Sequence, residues 1–134
     1  MNRTHLEGVA ETLATQAGYT FYAGPEGDMA HTVRGYPAAW LAPLELHAVE
    51  GRSHGRATYD MTLHLLRSGA RLAPEARRTA LADMERHLLD IFAALSLDGR
   101  VLAVEKLAIR PRAFALTPHG EISQTATARI VTFF

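Results

Sequence analysis

The 134-residue chain contains no cysteine. That excludes disulfides, thiol nucleophiles and zinc sites built on thiolate, and it fits a reducing compartment. Charge of one sign is not in excess. Lys plus Arg equals Asp plus Glu at 14 each, so no global field draws the chain to nucleic acid or to an anionic membrane. No run approaches the roughly 20 apolar residues of a membrane span, and Met1–His5 does not lead into an apolar stretch of signal-peptide length. These absences point to a soluble cytoplasmic protein. Nearly half the residues, 48%, are hydrophobic, which is enough to build a core and argues against disorder. The length suits one domain spanning residues 1–134.

What is present is organised around Pro74–Leu95. Leu81, Met84, Leu88, Ile91 and Leu95 recur at steps of three and four and draw one apolar stripe down a helix. Pro74 suits its first position and Gly99 follows its end. A second, shorter helix is expected over Thr4–Ala17, opened by the capping-box pattern Thr4-x-x-Glu7 and closed by Gly18. Tyr19–Ala23 reads as a strand, and Ala30–Arg34 as a short edge strand.

Tyr36-Pro37-Ala38-Ala39-Trp40-Leu41-Ala42-Pro43 reads as an extended edge segment, because two prolines remove ladder donors. Leu44–Glu50 and Ala57–Leu66 flank the polar turn Gly51–Arg56 and are expected to form an antiparallel hairpin. In Leu44–Glu50, Leu44, Leu46 and Ala48 alternate against Glu45 and His47. In Ala57–Leu66, Ala57, Tyr59, Met61, Leu63 and Leu65 share one face. Val101–Ile109 is a strand with Val101, Ala103, Leu107 and Ile109 on one side, resumed over Ala113–Leu116. Thr117–Gly120 is a turn and Glu121–Phe134 a long final strand, buried on both sides at its end. The sum is an α+β fold: a mostly antiparallel sheet with two helices packed on one face, in the order α-β-β-β-β-α-β-β.

Candidate chemistry is sparse. His47 and His64 fall on the polar side of adjacent expected strands, near Glu45 and Asp60. Opposite each other they would share a metal or a proton; otherwise they belong to a solvated sheet face. His87 and Asp83 are one helical turn apart, as in a surface pair. Ser53 stands beside His54 without the context of a nucleophile elbow. Gly51–Arg56 has backbone donors and two arginines for an anion but neither the lysine nor the helix of a phosphate loop. Arg67, Arg71, Arg77, Arg78, Arg110 and Arg112 would make a basic patch, diluted by Glu75, Asp83, Glu85 and Asp90. No catalytic, cofactor-binding or metal-binding residue is assigned, and no cofactor is expected. Trp40, the lone tryptophan, is either an interface anchor or a core residue. As an anchor it would make Tyr36, Pro37, Trp40 and Leu41 the candidate interface.

Taken together, the N-terminal helix Thr4–Ala17, the proline-bearing stretch Tyr36–Leu41 before a hairpin, the long helix Pro74–Leu95 and the C-terminal hairpin ending on Phe133-Phe134 resemble the small tail-terminator and tail-completion proteins of long-tailed bacteriophages. The resemblance covers nearly all the chain in order and length. It implies a structural role without catalysis: a ring-forming subunit at the tail-tube end, joined to the head-side connector, that associates with itself and with other tail proteins in the bacterial cytoplasm or the virion. Its ring contact is expected to set the Trp40 edge against helix 1 of the next copy. A small α+β enzyme or ligand-binding domain, with His47, His64 or Asp60 in a pocket between sheet and helix, is one alternative; a cellular protein–protein adaptor is another.

Overall fold

The longest ladder in the molecule joins β4 (Gly55–Arg67) to β6 (Ile122–Phe133), antiparallel from Arg56↔Phe133 to Arg67↔Ile122. In the computed structural model, residues 2–69, 71–112 and 115–134 are described. Along β4 the alternation expected from sequence holds: Ala57, Tyr59, Met61, Leu63 and Leu65 all enter the main core. Ala126, Ala128 and Ile130 of β6 line the same face, and small alanines there let a helix approach closely. That helix is α3 (Pro74–Ser96), which buries Met84, Leu88, Ile91, Phe92 and Leu95 against the sheet.

α1 (Asn2–Gln16) packs beside α3 on the same face, through Leu6, Ala10 and Ala14. It starts before the expected cap, so Thr4 is helical and the capping box does not form. The reason is tertiary: Asn2 donates to the Thr132 hydroxyl and the Phe133 carbonyl, and Arg3 donates to the Leu44 carbonyl, which ties the first turn to the sheet. The helix ends as predicted at Gly18, whose φ of 95° is left-handed. There the Gly18 N–H donates to the Thr15 carbonyl and the Tyr19 N–H to the Ala14 carbonyl, the paired bonds of a Schellman motif.

Among the described residues the sheet has six strands and is mixed, in the order β1-β2-β4-β6-β5 with β3 also paired to β4. β1 (Thr20–Ala23) runs parallel to β2 (Ala38–Leu41); the other pairings are antiparallel. A parallel pair needs a crossover of about a dozen residues. Here it contains a 3₁₀ turn (Glu26–Asp28) and the short α2 (Met29–Thr32), where sequence suggested an edge strand. The prolines do not put Ala38–Leu41 at an edge either. β2 lies between β1 and β4, because Pro37 and Pro43 flank the four-residue strand and take no ladder donor from it. The Pro37 carbonyl still accepts from the Thr20 N–H.

β3 (Glu45–Gly51) pairs with β4 as the expected hairpin, but a bulge between Leu46 and Ala48 puts Ala48 opposite Thr58 on the other face, while Leu46, opposite Tyr59 on the helix side, is exposed. β5 (Val101–Pro111) pairs with β6 and carries two bulges, so its inward residues are Val101, Val104, Leu107 and Ile109 rather than a strict alternation. The strand expected to resume over Ala113–Leu116 begins outside the described residues; Ala115 and Leu116 are not strand. At the end of β6, Val131 is buried but Phe133 is not.

Candidate interaction surface

β2 shows why four consecutive-looking residues do not form one surface. Its side chains alternate across the sheet, and both sides are covered. Leu41 enters the core under the helices, whereas Trp40 joins a second cluster on the opposite face with Met29, Val33, Ala38 and Leu66. Both are only 1% exposed. The Trp40 indole N–H donates to the Gly24 carbonyl at 2.9 Å, and the ring stacks on Tyr22. Tyr36 is half-buried, its hydroxyl bonded to Thr117, and Pro37 alone is exposed. The folded chain therefore does not present Tyr36, Pro37, Trp40 and Leu41 as an apolar edge. The crossover helix α2, unforeseen in sequence, is what covers Trp40.

The histidines also separate. His64 faces Trp40 and Thr125 across its two ladders, while His47 sits in the β3 bulge with Nδ1 3.5 Å from Asp60 Oδ2. Among the described residues no group of three or more His, Asp or Glu converges as a metal site would require. His87 on α3 bonds the hydroxyl of Tyr19, just after α1, at 2.9 Å, and Asp83 pairs instead with Arg86. Ser53 and His54 are exposed in the hairpin turn.

His64 does belong to a polar cluster on the face away from the helices. Its Nδ1 is hydrogen-bonded to the Thr125 hydroxyl at 2.7 Å, and its Nε2 lies 3.4 Å from Glu26 Oε2 without hydrogen-bond geometry. Arg112 approaches the same carboxylate at 3.9 Å. Burial pushes the imidazole below its ordinary pKa, against the pull of Glu26 and with the help of Arg112. The row of hydroxyl, imidazole and carboxylate has the residue types of a nucleophile, base and orienter, but it does not work as one. The imidazole is 1% exposed, and Thr125 sits in a strand paired on both sides, so its backbone N–H is not free to hold an oxyanion. A concavity of about 620 Å³ lies beside it, lined in part by Arg110, Arg112, Thr125 and Thr127.

Sequence reasoning missed Glu121. It is 4% exposed and accepts from the Leu116 N–H, the Thr117 N–H and the Thr117 hydroxyl, which closes the turn before β6. The available signal was a glutamate at the head of a long expected strand, four residues after a threonine.

The surface that stands out is one end of the sheet. Eight large apolar side chains are exposed among the described residues, and six of them gather there: Leu46, Val49, Leu97, Leu102, Phe133 and Phe134. Register explains the gathering. Val49 pairs with Ala57, Ala57 with Thr132, and Thr132 with Val101, a single row across four strands. Leu102 and Leu97 adjoin that row, and Phe134 closes it through paired backbone bonds with Gly55. β3 projects here as an arm, exposed at six of its seven positions. Exposed apolar groups concentrated in one region mark an interaction site more than the same number scattered.

No protein-family model matches the chain, and no curated protein matches it significantly. No helix among the described residues is long and apolar enough to cross a membrane.

Proposed function

We propose that this chain is a structural subunit of a bacteriophage or prophage tail, one that assembles into a ring at the tail-tube end and joins the tube to the head-side connector. The observation that carries the reading is the gathering of six exposed apolar side chains at one end of a sheet with open edges at β3 and β5. A side chain such as Leu or Phe left in water forgoes about 1.5–3 kcal/mol of burial, so a cluster of them favours association. The layout supports the same reading: an N-terminal helix, a hairpin, one long helix and a C-terminal hairpin in the order of the phage proteins the sequence resembles. The expected partners are further copies of the chain and other tail proteins. Light scattering over a concentration series, with and without tail-tube protein, tests it. Assembly into a discrete ring is the expected result; a subunit that stays monomeric in both arms refutes the proposal.

A further inference from the structure

One face of the sheet carries the two long helices; the other is covered only in part. α2 closes it over Trp40. Register gives the residues that floor the open remainder. Trp40 pairs with His64, His64 with Thr125 and Thr125 with Arg110, one row across four strands. The next row is Thr62, Thr127 and Ala108. Arg112 follows Arg110 by two residues and continues the ladder, its backbone N–H donating to the Ser123 carbonyl. Both arginine side chains therefore leave on this face, from backbone positions about 6.6 Å apart. Ala108 adds only a methyl beside them, and Ala115 and Leu116 supply an apolar wall. The hollow so formed is the concavity of about 620 Å³.

We propose that this concavity binds a small organic oxyanion, a carboxylate or a phosphate monoester, with its charged group between Arg110 and Arg112 and its apolar body against Ala115 and Leu116. The proposal goes beyond the ring reading and does not depend on it.

Charge fixes the sign of the ligand. Among the described residues no carboxylate lines the concavity. Arg110 is exposed and in no ion pair among them. Arg112 reaches only Glu26, at 3.9 Å, and that carboxylate also lies against His64. Glu121 already accepts from the Leu116 and Thr117 N–H groups. Two rows farther along the same face the charges balance: Arg129 is cross-strand from Glu105 and 3.5 Å from Asp60, and Lys106 lies over that pair. The surplus cation is thus at the hollow, and guanidinium groups match carboxylate and phosphate oxygens in planar, paired hydrogen bonds.

Size and rigidity fix the rest. A water takes about 30 Å³ of liquid, so the hollow has room for far more than a bare ion and falls in the range of small-molecule sites. Its floor is preformed. Thr125 and Thr127 sit on β6, paired on both sides, and the buried His64 holds the Thr125 hydroxyl at 2.7 Å. The exposed Thr127 adds a hydroxyl donor beside the arginines.

Isothermal titration calorimetry on the full chain tests the site with phenyl phosphate, benzoate, inorganic phosphate and, as the uncharged control, benzyl alcohol. Phenyl phosphate or benzoate is expected to bind, the tighter of the two naming the class; inorganic phosphate should bind more weakly and benzyl alcohol not at all. Arg110→Gln and Arg112→Gln are each expected to lower affinity about tenfold, the loss of one charged hydrogen bond. Arg78→Gln, exposed on α3 on the far side of the sheet, should leave it unchanged. Melting curves verify the fold of each variant. The site is refuted if none of the anions binds, if the Arg110→Gln/Arg112→Gln double variant binds like wild type, or if Arg78→Gln loses as much. A short single-stranded oligonucleotide that binds more tightly than either organic anion, and is lost in the double variant, would assign the arginines to a polynucleotide and overturn the small-molecule reading.

Discussion

Replacing Trp40 with alanine separates a core residue from an interface anchor. The side chain is 1% exposed, stacked on Tyr22 and tied to the Gly24 carbonyl. Truncating a buried tryptophan of this kind costs about 3–5 kcal/mol, transfer and cavity terms together. For a chain of 134 residues the unfolding entropy is about 0.28 kcal/mol per degree, so Tm should fall by about 11–18 °C. Trp40→Phe keeps most of the ring but strands the Gly24 carbonyl, and about 1–3 kcal/mol is expected. Differential scanning calorimetry gives both values. Because Trp40 is the lone tryptophan, its emission reports the same site in wild type and should be blue-shifted and sheltered from iodide. The reasoning is refuted if Trp40→Ala melts within about 3 °C of wild type yet loses assembly, since that pattern belongs to an exposed anchor.

Glu121→Ala leaves the Leu116 and Thr117 N–H groups without their acceptor and the Thr117 hydroxyl with Tyr36 alone; a loss of about 2–4 kcal/mol in urea unfolding is expected, and a change below about 0.5 kcal/mol would show that water replaces the carboxylate. Leu88→Ala, at a fully buried position of α3, should cost about 2–5 kcal/mol by the same assay, and an unchanged midpoint would contradict the packing of helix on sheet. His64 is held below the ordinary histidine value of 6.5, so below that pH the unfolded chain takes up a proton that the folded chain resists, and stability falls as pH drops from about 6.5. His87 shifts in the same direction, with burial its largest cause; His64→Gln should therefore flatten, but not abolish, the decline in urea midpoint between about pH 7.5 and about pH 5, and an undiminished decline assigns it elsewhere. Gly55→Ala would set a Cβ 1.9 Å from the Glu50 carbonyl oxygen, so hydrogen exchange should quicken in β3 while the β4–β6 ladder keeps its protection.

The parts of the fold legible in the sequence are those governed by a local period. The α3 stripe, the inward face of β4 and the two hairpins follow from spacing alone, because one buried face imposes 3.6 or 2 on the residues that form it. The Gly18 stop is legible for a similar reason, since its left-handed backbone is a local requirement. The capping box at Thr4 fails because Asn2 and Arg3 find partners 130 and 41 residues away, and no local pattern records such bonds.

The same distinction decides the candidate surface. Pro37 and Pro43 marked an irregularity correctly, but a proline beside a strand and a proline within one look alike until the strand's length is known. What put Trp40 in the interior was α2, four residues long, whose Met29, with Val33 just after the helix, closes over the face opposite the long helices. With that face closed, the apolar material left over lies where cover runs out. Leu46 and Val49 point to the helix side, in line with Tyr59 and Ala57, on a part of β3 that neither helix covers. Leu102 is pushed out because the first bulge of β5 gives it no partner on β6. Periodicity assigns Leu46 to the core, and register does keep it on the Tyr59 face, yet it is exposed. The exposed apolar side chains thus arise where regular pattern breaks or cover ends, which a reading built on pattern does not register.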